Sequence, residues 1–193
     1  MPPSPAPAPA PTETVPTRSV QQPLTGLRIR LSRSRGEGPT RLAAFDAALV
    51  AAGLQNFNLL PLSSVIPIGA AVDVVEPAEQ LRGRHGDLLY CVYAASYATH
   101  PGAQAWAGMA WALRSDGSGA GLFVEHSSST EADLHGHLDA TLGAMMANRA
   151  DSYVDGGRLV ASATCTAAPV AALVVASYQT AGWGPSGSTG GGR

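Results

Sequence analysis

The chain has 193 residues, a formal net charge of −2 and 45% hydrophobic residues. Its basic residues are scattered arginines, which argues against a nucleic-acid partner. The absence of lysine excludes a Walker-type phosphate loop and a pyridoxal Schiff base within this chain, and no uninterrupted apolar run of ~18 residues predicts a membrane span.

Residues 1–23 (MPPSPAPAPAPTETVPTRSVQQP) are proline-rich. Proline fixes φ and removes amide donors, so an extended, solvated tail is expected there. The segment lacks the basic-then-apolar order of a secretory leader, and a cytoplasmic protein is expected. Residues 24–182 then form one domain of ordinary size, and 183–193 a flexible Gly-rich tail. Within the domain, 27–32 (LRIRLS) alternates as a strand does. SRGEGPT follows as a loop with Thr40 as N-cap, and 41–52 (RLAAFDAALVAA) is a helix stopped by Gly53. Residues 56–62 (NFNLLPL) read as an edge or irregular strand because of Pro61. SSVIPIG is a turn-like junction, and 71–75 a short strand. Strands are expected over 88–98, 105–113 and 121–125. A helix capped by Ser129 or Thr130 runs to about 151, with Leu134, Leu138, Leu142, Met145 and Met146 at helical spacing. Strands over 159–166 and 170–178 close the domain, and Cys91 and Cys165 fall in apolar strands as buried thiols. Strands clustered between two amphipathic helices predict an α+β fold, a β-sandwich flanked by helices.

Chemistry concentrates in Asn58-Leu59-Leu60-Pro61-Leu62-Ser63-Ser64-Val65-Ile66-Pro67. Paired serines are ordinarily turn formers. Here an apolar strand leads straight into the pair, and a strand end can hold one peptide bond rigidly, as self-cleavage requires. Glu125 closes GLFVE and is either a solvated strand terminus or a carboxyl whose pKa is raised beside Phe123 and Val124. On the first helix Leu42, Phe45 and Leu49 define an apolar stripe. Asp46 lies on or beside it and needs a partner, either a guanidinium ligand or an internal pair with Arg41 or Arg82. His135 and His137 sit two apart, pointing to different helix faces, and no metal site is expected. His126 lines a cleft or faces solvent, and Gly117-x-Gly119-x-Gly121 reads as a loop.

The stretch LAAFDAALVAAGLQNFNLLPLSSVIPIG resembles the N-terminal signature of the pyruvoyl-dependent arginine decarboxylases: an Ala-Phe-Asp helix, an Asn-x-Asn-Leu strand and a Ser-Ser-(Ile/Val)-x-Pro cleavage site. GLFVE is a second matching block, and the likeness runs from about Leu27 to Tyr178. The resemblance implies an αββα sandwich, with an antiparallel β-sandwich, that cuts itself between Ser63 and Ser64. The β chain would end at Ser63, and the α chain would begin with a pyruvoyl group, its covalent cofactor, made from Ser64. It implies a processing role for Asn58, an amide donor to the carbonyl under attack. It also implies proton return by Glu125, guanidinium binding by Asp46, and a homotrimer of αβ units with sites between protomers. The reaction so implied is L-arginine to agmatine and carbon dioxide, suited to polyamine synthesis or acid resistance. Pro61 and Ile68 depart from the family's pattern on either side of the serine pair. Three rivals are carried: an unprocessed, non-enzymatic binding or assembly homologue, a serine hydrolase pairing Ser64 with His126, and a decarboxylase of another amino acid.

Overall fold

The computed structural model describes residues 26–76 and 81–183. The tail expected over 1–23, and all of the C-terminal tail except Trp183, lie outside the described residues. Eleven elements follow in order: β1 (Arg28–Glu37), α1 (Arg41–Ala51), β2 (Asn58–Pro61), β3 (Val65–Ile66), β4 (Ala71–Val74), β5 (Leu88–Ala98), β6 (Gln104–Arg114), β7 (Gly121–Ser128), α2 (Glu131–Ala147), β8 (Tyr153–Thr164) and β9 (Val170–Ala181). They build two sheets, ordered β2-β5-β9-β1-β4 and β3-β7-β6-β8. The expected sandwich is therefore present. Its antiparallel character holds except for two edge pairs of the first sheet, β1 with β4 and β2 with β5, which are parallel.

The layers follow from side-chain parity along the strands. On β9, Ala172, Val174, Ala176 and Tyr178 face the layer between the sheets, while Ala171, Leu173 and Val175 face α1. On β7, Phe123 joins the inter-sheet layer, while Leu122 and Val124 face Leu134, Leu138 and Leu142 of α2. Both helices start as expected: Thr40 and Thr130 are N-caps whose side chains accept from Ala43 N and Asp133 N.

Three expectations are corrected. The first strand does not stop at 32; it continues through Glu37, because Ser32 to Glu37 stay paired with Val175 to Val170 of β9. The last strand pair also starts earlier than expected. The strand expected from 159 begins at Tyr153, and Asp155-Gly156-Gly157 forms a bulge in β8 opposite Trp111, with the register shifting between Trp111 and Ala112. A Cβ on Gly156 would lie 2.2 Å from Trp111 Cδ1, so the glycine lets the strand run beneath the indole. Finally, the buried stripe of α1 is Ala44 and Ala48, while Leu42 is 76% exposed and Phe45 and Leu49 are half-buried. The helix sits so close to β1 that a Cβ on Gly36 would be 2.3 Å from Ala48 N. Only small side chains fit that approach, and the bulky ones are turned aside.

Candidate active site

β2 is an edge strand of the first sheet, which accommodates Pro61 without loss of a central ladder bond. Leu62 N still donates to Cys91 O at 2.8 Å; then the chain crosses to the second sheet and enters β3, which pairs with Leu122 and Gly121. Ser63 and Ser64 occupy this crossing. Ser63 is exposed and Ser64 is 7% exposed, so the bond between them joins a wet residue to a dry one. Ser64 has φ +62°, the one positive value at a non-glycine among the described residues. Such a conformation costs roughly 1–3 kcal/mol and persists only where surroundings enforce it. Here Phe123 N donates to the Ser64 carbonyl at 2.8 Å.

The Ser64 hydroxyl donates to Glu125, with Oγ 2.8 Å from Oε2 and 3.0 Å from Oε1. Glu125 shares the inward face of β7 with Phe123 two residues earlier. Burial pushes the Glu125 carboxyl above its ordinary value, and the bond from Ser64 pulls it back only in part. A carboxyl in this setting takes a proton readily and holds it nearer neutral pH than an exposed one.

Tyr178 completes the cluster, and sequence reasoning missed it by treating it as the end of a packed strand. Its hydroxyl donates to Val65 O at 3.0 Å, and its ring meets Phe123 edge-on at 6.3 Å between centroids. Burial, and then the charge of Glu125, push the phenol upward, so it remains a donor. The available signal was a tyrosine inside an Ala/Val run, because a buried phenol needs a partner for its hydroxyl.

The other candidates lie elsewhere in this chain. Asn58 Nδ2 donates to Gly86 O at 2.7 Å, at the far end of β2. The ladder from Asn58 to Leu62 is extended, so about 13 Å separate those Cα atoms at ~3.3 Å per residue. The chain then turns away to the second sheet, which leaves the Asn58 amide with no contact to the serine pair. Asp46 is exposed on the outer face of α1, across the first sheet from the inter-sheet layer. It lines a shallow hollow of about 550 Å³ with Thr40, Leu42, Phe45 and Leu49. Neither internal pair considered for it forms: Arg41 instead stacks on Tyr97, 4.5 Å from the ring centre. His126 shares the α2-facing side of β7 with Val124, and its Nε2 lies 2.7 Å from Thr141 Oγ1. The serine-histidine pair of a hydrolase is therefore not formed. His137 packs against His126 at 5.6 Å, whereas His135 Nδ1 meets Arg158.

A family model described as pyruvoyl-dependent arginine decarboxylase matches residues 28–179. A pyruvoyl-dependent arginine decarboxylase of Halobacterium salinarum is 46% identical over 106 residues, covering 55% of this chain and 64% of the relative. Pyruvoyl-dependent arginine decarboxylase 2 of Archaeoglobus fulgidus is 34% identical over 93 residues, covering 48% of this chain and 58% of the relative. The chain thus spans less than two thirds of the length of these curated relatives. Among solved structures, a pyruvoyl-dependent histidine decarboxylase at pH 8 aligns with a TM-score of 0.40 and 14% identity, over 81% of this chain and 69% of that one.

Proposed function

Since the chain belongs to the pyruvoyl-dependent arginine decarboxylase family, we propose that it breaks its own backbone between Ser63 and Ser64 and then converts L-arginine to agmatine and carbon dioxide. The observation that carries this reading is the Ser64 hydroxyl held on the Glu125 carboxylate at a residue constrained to positive φ. Glu125 is placed to take the hydroxyl proton as Ser64 Oγ attacks the Ser63 carbonyl carbon. An ester then replaces the amide. Elimination frees the β chain as a carboxylic acid, and water releases ammonia, leaving a pyruvoyl group on the α chain.

That group supplies a ketone that captures the substrate amine and draws electrons as carbon dioxide leaves. The residues around position 64 fit it: the position is dry, its carbonyl is held by Phe123 N, and a carboxyl lies within reach. Once position 64 carries no hydroxyl, Glu125 loses the bond that lowered its pKa and keeps its proton to higher pH. It then has a proton at Oε to return to the substrate Cα.

Asp46 is assigned to the substrate guanidinium, a bidentate partner for a carboxylate. Because the first sheet stands between Asp46 and Ser64, each Asp46 serves a second copy of the chain, as does Asn58 in processing. A homotrimer of αβ units with sites between protomers accommodates both. Leu42 and Val50 on α1, and Val65 and Ile68 beside the junction, are 47–76% exposed apolar surface for such contacts. Cys91 and Cys165 are buried free thiols, which supports a reducing, cytoplasmic setting.

Carbon dioxide release from a panel of amino acids tests the reaction. Arginine should be the fastest substrate, agmatine the product, and the Ser64→Ala chain inert. Faster release from another amino acid would refute the substrate, and no release from any would favour the non-enzymatic reading.

A further inference from the structure

Cleavage after Ser63 creates a loose end. Residue 64 would be tethered on one side only, and β3, the strand that follows it, is two residues long. Its ladder partners are confined to Leu122 and Gly121; Ile66 is buried in the inter-sheet core, but the Val65 side chain next to the new end is 51% exposed, so packing contributes little at Val65 itself. Breaking the bond also removes the peptide that fixed the Ser64 φ. A working site nevertheless needs position 64 to stay opposite Glu125.

Two bonds hold consecutive carbonyls on the α-chain side of the junction. Phe123 N holds the carbonyl of Ser64 from the same sheet. Tyr178 holds that of Val65 from the opposite sheet, over a sequence separation of 113 residues. Alternation along β9 with Ala172, Val174 and Ala176 turns Tyr178 between the sheets, where it is 8% exposed and Phe123 braces its ring. In the pairing of β5 with β9, Cys91 stands opposite Ser177 and Tyr90 opposite Gln179, which leaves Tyr178 as the extra residue of a bulge, with no opposite residue on β5.

We propose that Tyr178 is a positioning residue that clamps the new α-chain terminus through the Val65 carbonyl and so keeps position 64 against Glu125 after cleavage. This rests on the self-cleavage reading above. The phenol donates to the Val65 carbonyl and acts through that backbone.

The test compares the full-length native chain with Tyr178→Phe, which keeps the ring and removes only the hydroxyl. Val174→Ala serves as a control that loosens the same buried layer without touching Val65. Hydrogen exchange is followed in the peptide that begins at residue 64, alongside kcat and KM for arginine and intact mass. Losing one hydrogen bond corresponds to roughly five- to tenfold in an equilibrium. Exchange of the α-chain terminus should therefore accelerate by about that factor in Tyr178→Phe, and kcat should fall with KM unchanged. In Val174→Ala the terminus should exchange as in the native chain. Hydrogen exchange of the same residues in an uncleavable Ser64→Ala background should show a much smaller effect of Tyr178→Phe, because the intact backbone still holds the junction.

Unchanged exchange and kcat in a cleaved Tyr178→Phe chain would overturn the proposal. So would a Tyr178→Phe chain that stays uncut, since the hydroxyl would then serve the scissile bond rather than its product. An equal rise in exchange in Val174→Ala would reduce the role to general packing. A native chain that never cleaves would instead remove the self-processing premise, and the clamp with it.

Discussion

Ser64 and Glu125 are adjacent in space because two strands from different parts of the chain meet at one crossing. In the proposed reaction Glu125 acts twice, first as proton acceptor and later as donor. Its native pKa is raised, chiefly by burial. The native state therefore keeps a proton that the unfolded chain has already released, and stability falls as pH rises from the unfolded carboxyl value through the raised native one. In the uncleavable Ser64→Ala chain, melting temperature should decline across that window, and Ser64→Ala/Glu125→Gln should lack the decline. In the active enzyme, kcat should drop as pH rises through the Glu125 value, and Glu125→Gln should lower kcat per cleaved chain, counted by intact mass, by roughly 10²–10⁴, the usual size of a general acid's contribution. A pH-independent melting curve in Ser64→Ala, or full activity in Glu125→Gln, would contradict the assignment. Sequence offered Glu125 as either a solvated strand terminus or a carboxyl raised in pKa beside Phe123 and Val124, and the packing of the second sheet decides for the latter. Tyr178 was less legible still, since the acceptor for its hydroxyl, Val65 O, lies 113 residues away in sequence and on the other sheet.

Among the elements, α1 gives the clearest physical lesson. Its helical period and its Thr40 cap are readable from local sequence. Which face is buried was misread, because apolarity was weighed without the space available. Gly36 on β1 lets the helix backbone approach, and Ala44 and Ala48 fill the narrow gap. A Cβ at position 36 would lie 2.3 Å from Ala48 N and 2.4 Å from Ala44 O, both backbone atoms that cannot swing away. Gly36→Ala should therefore destabilise the fold by about 1–3 kcal/mol, the usual cost of overpacking, as read by chemical denaturation; an unchanged midpoint would show the helix free to lift. The same geometry explains why Asp46 is outward rather than half-buried. The strands were more legible where alternation or a long apolar run dominated: β5 has the predicted bounds of 88–98. They were less so where the bulged start of β8 breaks alternation at Gly156, or where polar residues of β1 were stabilised by pairing with β9.

At the scale of the whole molecule, the inter-sheet layer holds the proposed cutting machinery and the outer face of α1 the proposed substrate anchor. One copy of the chain does not bring them together, so the account requires shared sites. Asp46→Ala alone should cost roughly ten- to hundredfold in kcat/KM for arginine, the worth of a charged hydrogen-bonded contact, while leaving self-cleavage intact. Coexpressing Asp46→Ala with Ser64→Ala should then restore part of the lost activity, because a mixed assembly can unite a processed position 64 from one chain with Asp46 from the other. Activity no greater than the sum of the two separate variants would place both groups in a single protomer and refute the shared site. All of this depends on the backbone breaking at one place. Intact mass of the purified native chain measures that directly. Two polypeptides are expected, of about one third and two thirds of 19.6 kDa, the smaller ending at Ser63 and the larger lighter by the elements of ammonia than a chain beginning with serine. One unbroken polypeptide of 19.6 kDa, with an unmodified serine at position 64, would contradict it.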